Sequence, residues 1–239
     1  MKQNATLNSG CLIAIVDTGI SHLPSRVQSG ISVCRLGESD EYVFEPDFSD
    51  YHGHGTAVAS LLSVFCPESL LVAVRVAQQH NARVPEKFLA LGIDWCIEQG
   101  IRLINVSYSI DKVSQTGLLA SVCRKAYENN VVIVAAYRNN SNRRVYPAAF
   151  SNVIGVSILK NSGHGQIAIV SERNHNVAVF GGPYQVVLAD NKTKIVCGTS
   201  FAAVQVTGMI GRMLAIKPSL SFRHIFRYLK KYSIEPHRD

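Results

Sequence analysis

The chain has 239 residues, 47% of them hydrophobic and 17% charged, a composition that excludes intrinsic disorder and fits a single domain over 1–239. Its 24 Lys and Arg outnumber 17 Asp and Glu to give a net charge of +7, which is compatible with an anionic partner or an acidic substrate and alone selects neither. No apolar run comes near the ~18–20 residues that span a bilayer, so no membrane is expected as a partner.

The amino terminus, Met1 to Thr6, lacks the apolar core of a secretion signal. Residues 12–16 then read as a short buried strand that ends at Asp17, 56–65 carry apolar residues at helical spacing, and 71–76 form the next strand-like run. A helix is expected over 85–98, with Pro85 in its first turn and Gly100 as its stop. Strands at 103–106 and 131–136 flank a helical stretch at 117–129; a further strand follows at 153–156 and a further helix at 201–216. Residues 157–195 read as hairpins or loops, and 223–231 as a docked helix with a solvated basic face. Short β-branched runs alternating with amphipathic helices predict a three-layer α/β fold. Its doubly wound, mostly parallel sheet would gather sites at the carboxyl ends of its strands.

Six cysteines, at 11, 34, 66, 96, 123 and 197, include no Cys-x-x-Cys pair and several sit in apolar surroundings. That usage suits a reducing compartment, so the chain is expected in the cytoplasm, with Cys197 as a packing residue. No phosphate loop, Gly-x-Gly-x-x-Gly or zinc-finger spacing occurs, and His52-x-His54 has no third ligand at suitable spacing. Neither nucleic acid nor a cofactor or metal is therefore expected.

Three segments carry chemistry. Asp17 follows the first strand, His54 precedes a helical run, and Ser200 opens another. Taken singly, Asp17 reads equally as a turn residue, His54 as a surface residue and Ser200 as a helix cap. Together, in the order Asp, His, Ser and each beside glycine, they match the subtilisin arrangement. A serine at a helix amino terminus sits where backbone N–H groups favour developing negative charge. A histidine can take and return its proton, and a carboxylate can hold the imidazole tautomer.

Asp17-Thr18-Gly19, His54-Gly55-Thr56-x-Val58-Ala59 and Gly198-Thr199-Ser200-x-Ala202 resemble the three signatures of the subtilisin-like serine peptidases, the subtilase family. The resemblance covers about residues 11 to 230. It implies Ser200 as nucleophile, His54 as general base and acid, Asp17 as orienting carboxylate, and Asn139, after the strand ending in Ala135-Ala136, as side-chain donor to the oxyanion. It further implies peptide-bond hydrolysis through an acyl-enzyme, without a cofactor.

The departures from that family pattern set further expectations. The chain starts almost at its first core strand, like compact intracellular members without a signal or pro-domain. Residues 61–71 run straight on with one carboxylate where many relatives cage calcium. One wall of the substrate pocket, usually Ser-Leu-Gly-Gly, is here Ser107-Tyr108-Ser109-Ile110. The other is Ala136-Tyr137-Arg138, and Val145 stands at the floor in place of a small residue. Bulky residues narrow such a cleft, which favours a dedicated maturation protease over a scavenger, and family-level analogy adds leader removal from a peptide precursor as a natural role. Arg83, Arg138, Arg143 and Arg144 add an expected preference for an acidic residue near the cleavage site. The alternative from another class is a catalytically silent module that binds an extended peptide, favoured by Arg138 beside the oxyanion residue.

Overall fold

The computed structural model describes residues 10–21, 26–37, 41–77, 84–111, 117–139, 143–188 and 192–235. Strand β1 (Leu12–Asp17) has every residue after Leu12 buried, so it can only lie inside a sheet covered on both faces. Strands β2 (Val27–Arg35) and β3 (Tyr42–Glu45) pair antiparallel at one edge. Three helix–strand units follow: α1 (His54–Phe65) with β4 (Leu70–Arg75), α2 (Glu86–Glu98) with β5 (Leu103–Val106), and α3 (Leu118–Glu128) with β6 (Val132–Ala136). Then come β7 (Ile154–Ile158), β8 (Ile167–Ser171) and β9 (Asn176–Val179). A separate hairpin of β10 (Tyr184–Val187) and β11 (Thr193–Val196) precedes the helices α4 (Thr199–Ile216) and α5 (Phe222–Lys231).

The large sheet has nine strands in the order β3-β2-β4-β1-β5-β6-β7-β9-β8, parallel throughout its interior and antiparallel only at the β2–β3 and β8–β9 edges. From β1 the chain builds one side of the sheet and returns through β4, then crosses to β5 and builds the other. The connections therefore reverse at β1, and a crevice opens at the carboxyl ends of β1 and its neighbours.

Alternation along each strand divides the core between two faces. Ile13, Ile15, Leu71 and Leu103 pack with α1, α4 and α5; Ala14, Val16, Val72 and Ile104 pack with α2 and α3. Each fully buried Ile, Leu or Val contributes about 1.5–3 kcal/mol, which makes this double-faced sheet the rigid frame for everything at its edge.

Two expectations are corrected here. Helix α4 has 18 residues and a mean hydropathy of 1.2, the length and composition of a bilayer span, although 67% of it is buried in this core. The polar residues Ser200, Gln205, Thr207 and Arg212 interrupt the apolar run in the sequence and hide that length. Cys197 is exposed, because it lies in the turn between β11 and α4 and not on a core face. The thiols of Cys11, Cys66, Cys96 and Cys123, by contrast, are pushed up by burial. Helix α5 buries Phe222, Ile225, Phe226 and Leu229 and turns its basic residues outward.

Candidate active site

Asp17 is the last residue of β1 and is wholly buried. The next element that matters is α1, whose first residue is His54. Its start is organised by Asp50. Asp50 Oδ1 accepts the Thr18 hydroxyl at 2.8 Å and the backbone N–H groups of His52 at 2.9 Å and Gly53 at 2.7 Å. Its Oδ2 accepts the Thr56 N–H at 2.8 Å and the Thr56 hydroxyl at 2.7 Å. A carboxylate thus satisfies N–H groups that the helix cannot pair internally and sits at the positive end of the helix dipole. Burial pushes the Asp50 carboxyl up, but the hydrogen bonds from Thr56, Gly53 and His52 outweigh it and hold the group below its ordinary range.

Gly55 sets how close α1 comes to β1. A Cβ there would lie 2.1 Å from the Gly19 carbonyl oxygen and 3.1 Å from the Asp17 Cβ, so no larger residue fits. That approach puts His54 Nδ1 2.8 Å from Asp17 Oδ1. The Thr18 N–H donates to the same oxygen at 2.7 Å, while Oδ2 is buried with no hydrogen-bond partner among the described residues. An ionised carboxylate only accepts, so Nδ1 carries the proton and Nε2 is left as the acceptor. The Asp17 charge raises the His54 pKa above its ordinary value against the opposing effect of burial; the Asp50 charge adds to the rise and Lys194 counters it.

Ser200 is the second residue of α4. That helix begins after Gly198, at φ +133°, and has no acidic side chain in its first turn, so its positive end is unshielded. The Thr199 N–H donates to Asn139 Oδ1 at 2.8 Å. An N–H can donate only to the carboxamide oxygen, so this bond fixes the Asn139 side chain and leaves its Nδ2 to donate elsewhere. A Cβ on Gly198 would stand 3.0 Å from that Nδ2. The ring of Phe201, next to Ser200, lies 5.7 Å from the His54 ring, so the first turns of α1 and α4 meet.

The expected substrate-side residues divide into two groups. Tyr137 and Arg138, past the end of β6, line a cavity of about 570 Å³ with Arg143, Arg144 and Asn176. Asn176 Nδ2 donates to the Tyr137 hydroxyl at 2.8 Å, and Arg138 pairs with Asp111 at 2.6 Å. Ser107, Tyr108 and Ser109 are half-buried in the segment after β5, outside the lining of that cavity. Ser107 Oγ accepts from Asn105 Nδ2 at 3.4 Å, and Tyr108 packs on the α2/α3 side, its hydroxyl pushed up by burial and then by the charges of Asp17 and Asp50. Ala136 is the buried end of β6, and Val145 is completely buried. Arg83 lies outside the described residues. The sequence reading missed the part played by Asp50; its signal was an Asp four residues ahead of the helix start, with Gly53 between.

A mostly parallel α/β sheet, with a buried Asp at the end of its reversal strand paired to a half-buried His that faces the open amino terminus of a buried helix, is an architecture suited to hydrolytic chemistry at an acyl group. The chain belongs to the subtilase family, Peptidase S8, whose model matches residues 8–233. It is 32% identical over 157 residues to the minor extracellular protease Epr of Bacillus subtilis (strain 168), covering 61% of this chain and 23% of that protein. It is 26% identical over 215 residues to the major intracellular serine protease of the same strain, covering 83% of this chain and 66% of that one. The chain therefore spans only part of the length of either relative. Among solved structures, Sphericase shares the fold, with a TM-score of 0.77 at 22% identity over 94% of this chain and 83% of that one.

Proposed function

We propose that residues 1–239 act as one serine endopeptidase domain working through an Asp17–His54–Ser200 triad. The observation that carries this reading is the 2.8 Å hydrogen bond between buried Asp17 and His54 Nδ1, which leaves Nε2 as base at the mouth of the α4 amino terminus. In the reaction, Ser200 Oγ gives its proton to His54 Nε2 and bonds to the scissile carbonyl carbon. The oxyanion so formed is held by Asn139 Nδ2 and the helix N–H groups. Collapse breaks the C–N bond as His54 returns the proton to the departing amine, and water repeats the sequence to free the acyl group.

The substrate reading is a selective one. Ser107, Tyr108, Ser109, Tyr137 and Arg138 form the walls that receive the peptide, backed by the buried Ala136 and Val145, with an acidic residue favoured near the cleavage site. By analogy with the family, such selectivity would suit the maturation of a peptide precursor, for example the removal of its leader. A cytoplasmic setting is supported by the likeness to an intracellular serine protease and by six free cysteines. The second reading, a silent peptide-binding module, draws support from the Arg138–Asp111 ion pair one residue from Asn139. Mass spectrometry of new termini in a peptide library decides between them: cleavage by the wild type and none by Ser200→Ala is the expected result, and no cleavage by either favours the module.

A further inference from the structure

Beyond the catalytic centre lies a charged feature that peptide hydrolysis itself does not need. The 570 Å³ cavity beside Asn139 is lined by four cationic side chains: Arg138, Arg143, Arg144 and Lys160. A second cavity of about 540 Å³ carries Arg124 of α3 and Arg173. The two share Ala149 and Asn174 as walls, so they adjoin, and among the described residues no Asp or Glu lines either one. All six cations are exposed. Arg138 is tied to Asp111, whereas Arg124, Arg144, Lys160 and Arg173 form no ion pair among the described residues.

We infer that this pair of cavities is a docking track for an acidic stretch of the peptide substrate, running from the catalytic centre to the Arg124–Arg173 end. The inference rests on the proteolytic reading and names the substrate class for it. Two observations fix the occupant. Thr199, directly before Ser200, is part of the first cavity's wall, so a chain whose carbonyl reaches Ser200 enters the track at once. The polar groups along the way suit carboxylates: the Tyr137 hydroxyl accepts from Asn176, which leaves its own proton to donate into the cavity. Clustered like charges in a cleft also focus the field and raise the local concentration of an oppositely charged chain. Guanidinium forks match carboxylates in pairs.

The test uses full-length Ser200→Ala and two fluorescein-labelled peptides of equal length, one with a run of Glu and one with Gln at the same positions. Fluorescence anisotropy is expected to show the Glu peptide binding on the order of tenfold or more tighter than the Gln peptide, the margin shrinking as salt is added. In Arg124→Glu/Arg173→Glu, checked for folding by its melting temperature, that margin collapses towards one. The same ratio is read from kcat/KM with the serine intact, which keeps the two readings apart. If anisotropy discriminates Glu from Gln while no peptide is cut, the docking track stands and the proteolytic reading fails. Equal affinities for the Glu and Gln peptides, or a ratio untouched by the double reversal, overturn the track. So does single-stranded DNA of matched charge binding as tightly as the Glu peptide, which would mark a general anion surface.

Discussion

The side-chain oxygen of Asn139 accepts the backbone N–H of Thr199 at 2.8 Å, which ties the end of β6 to the residue before Ser200. This bond orients the carboxamide before any substrate arrives, so in the proposed mechanism the donor Nδ2 would cost no reorganisation when charge develops. Asn139→Ala is expected to lower kcat by about 10²–10³ with little change in KM. Asn139→Asp separates the two roles of the side chain. It keeps an oxygen for Thr199 and so retains the melting temperature, but it lacks the donor and loses activity as severely. Steady-state kinetics and a thermal melt on both variants check this.

Gly198 is the hinge of the same arrangement. Its φ of +133° is a conformation that L side chains rarely adopt, and a Cβ would stand 3.0 Å from Asn139 Nδ2. Gly198→Ala is expected to destabilise the fold by about 1–3 kcal/mol. It should also displace Asn139, so kcat falls together with the melting temperature.

In the proposed triad, the Asp17 charge sets the pH response through His54. Because it raises the His54 pKa, the neutral base appears only above the ordinary imidazole value of about 6.5. The kcat/KM profile on a peptide substrate is therefore expected to rise with pH along a limb centred above 6.5, and a limb at or below that value contradicts the assignment. Stability runs the other way. A folded-state pKa above the unfolded one contributes fully below about pH 6.5, and the contribution is lost as pH climbs through the folded value.

Asp50 gathers five hydrogen bonds from Thr18, His52, Gly53 and Thr56. Asp50→Ala leaves several of those donors without an acceptor, at about 1–3 kcal/mol for each one buried. The melting temperature is expected to fall by several degrees, and the His54 acid limb to shift down because the Asp50 charge is gone. Asp50→Asn should recover part of the stability, since one oxygen remains.

The turn from α1 to β4 carries a single carboxylate, Glu68, which accepts from Cys66 Sγ at 3.5 Å. Calcium asks for about six to eight oxygen ligands. Excess calcium or a chelator is therefore expected to leave the melting temperature unchanged, as differential scanning calorimetry would show.

Strands β1, β4, β5 and β6 were legible in the sequence because burial on both faces forces unbroken apolar runs such as Leu12 to Val16. Strands β2 and β3 were not. They lie at an edge, with exposed residues such as Gln28, Ser29 and Phe44 among the buried ones, and their sequences carry neither a clean alternation nor a run. Within the site, Asp17, His54 and Ser200 stand out by their glycine neighbours. Asp50 does not, since its function is a three-dimensional cap over a loop. The basic track was half-visible: Arg138, Arg143 and Arg144 are close together in the chain, but Arg124, Lys160 and Arg173 reach it only through the packing of α3 and the β7–β9 region.

The most direct test of the account is intact mass after exposure to a fluorophosphonate, with wild type, Ser200→Ala and His54→Ala side by side. The account predicts one adduct on the wild type, none on Ser200→Ala and a greatly slowed reaction on His54→Ala, because the reagent reports a serine activated by its base. A folded wild type that stays unlabelled, or a Ser200→Ala variant that labels equally, contradicts it.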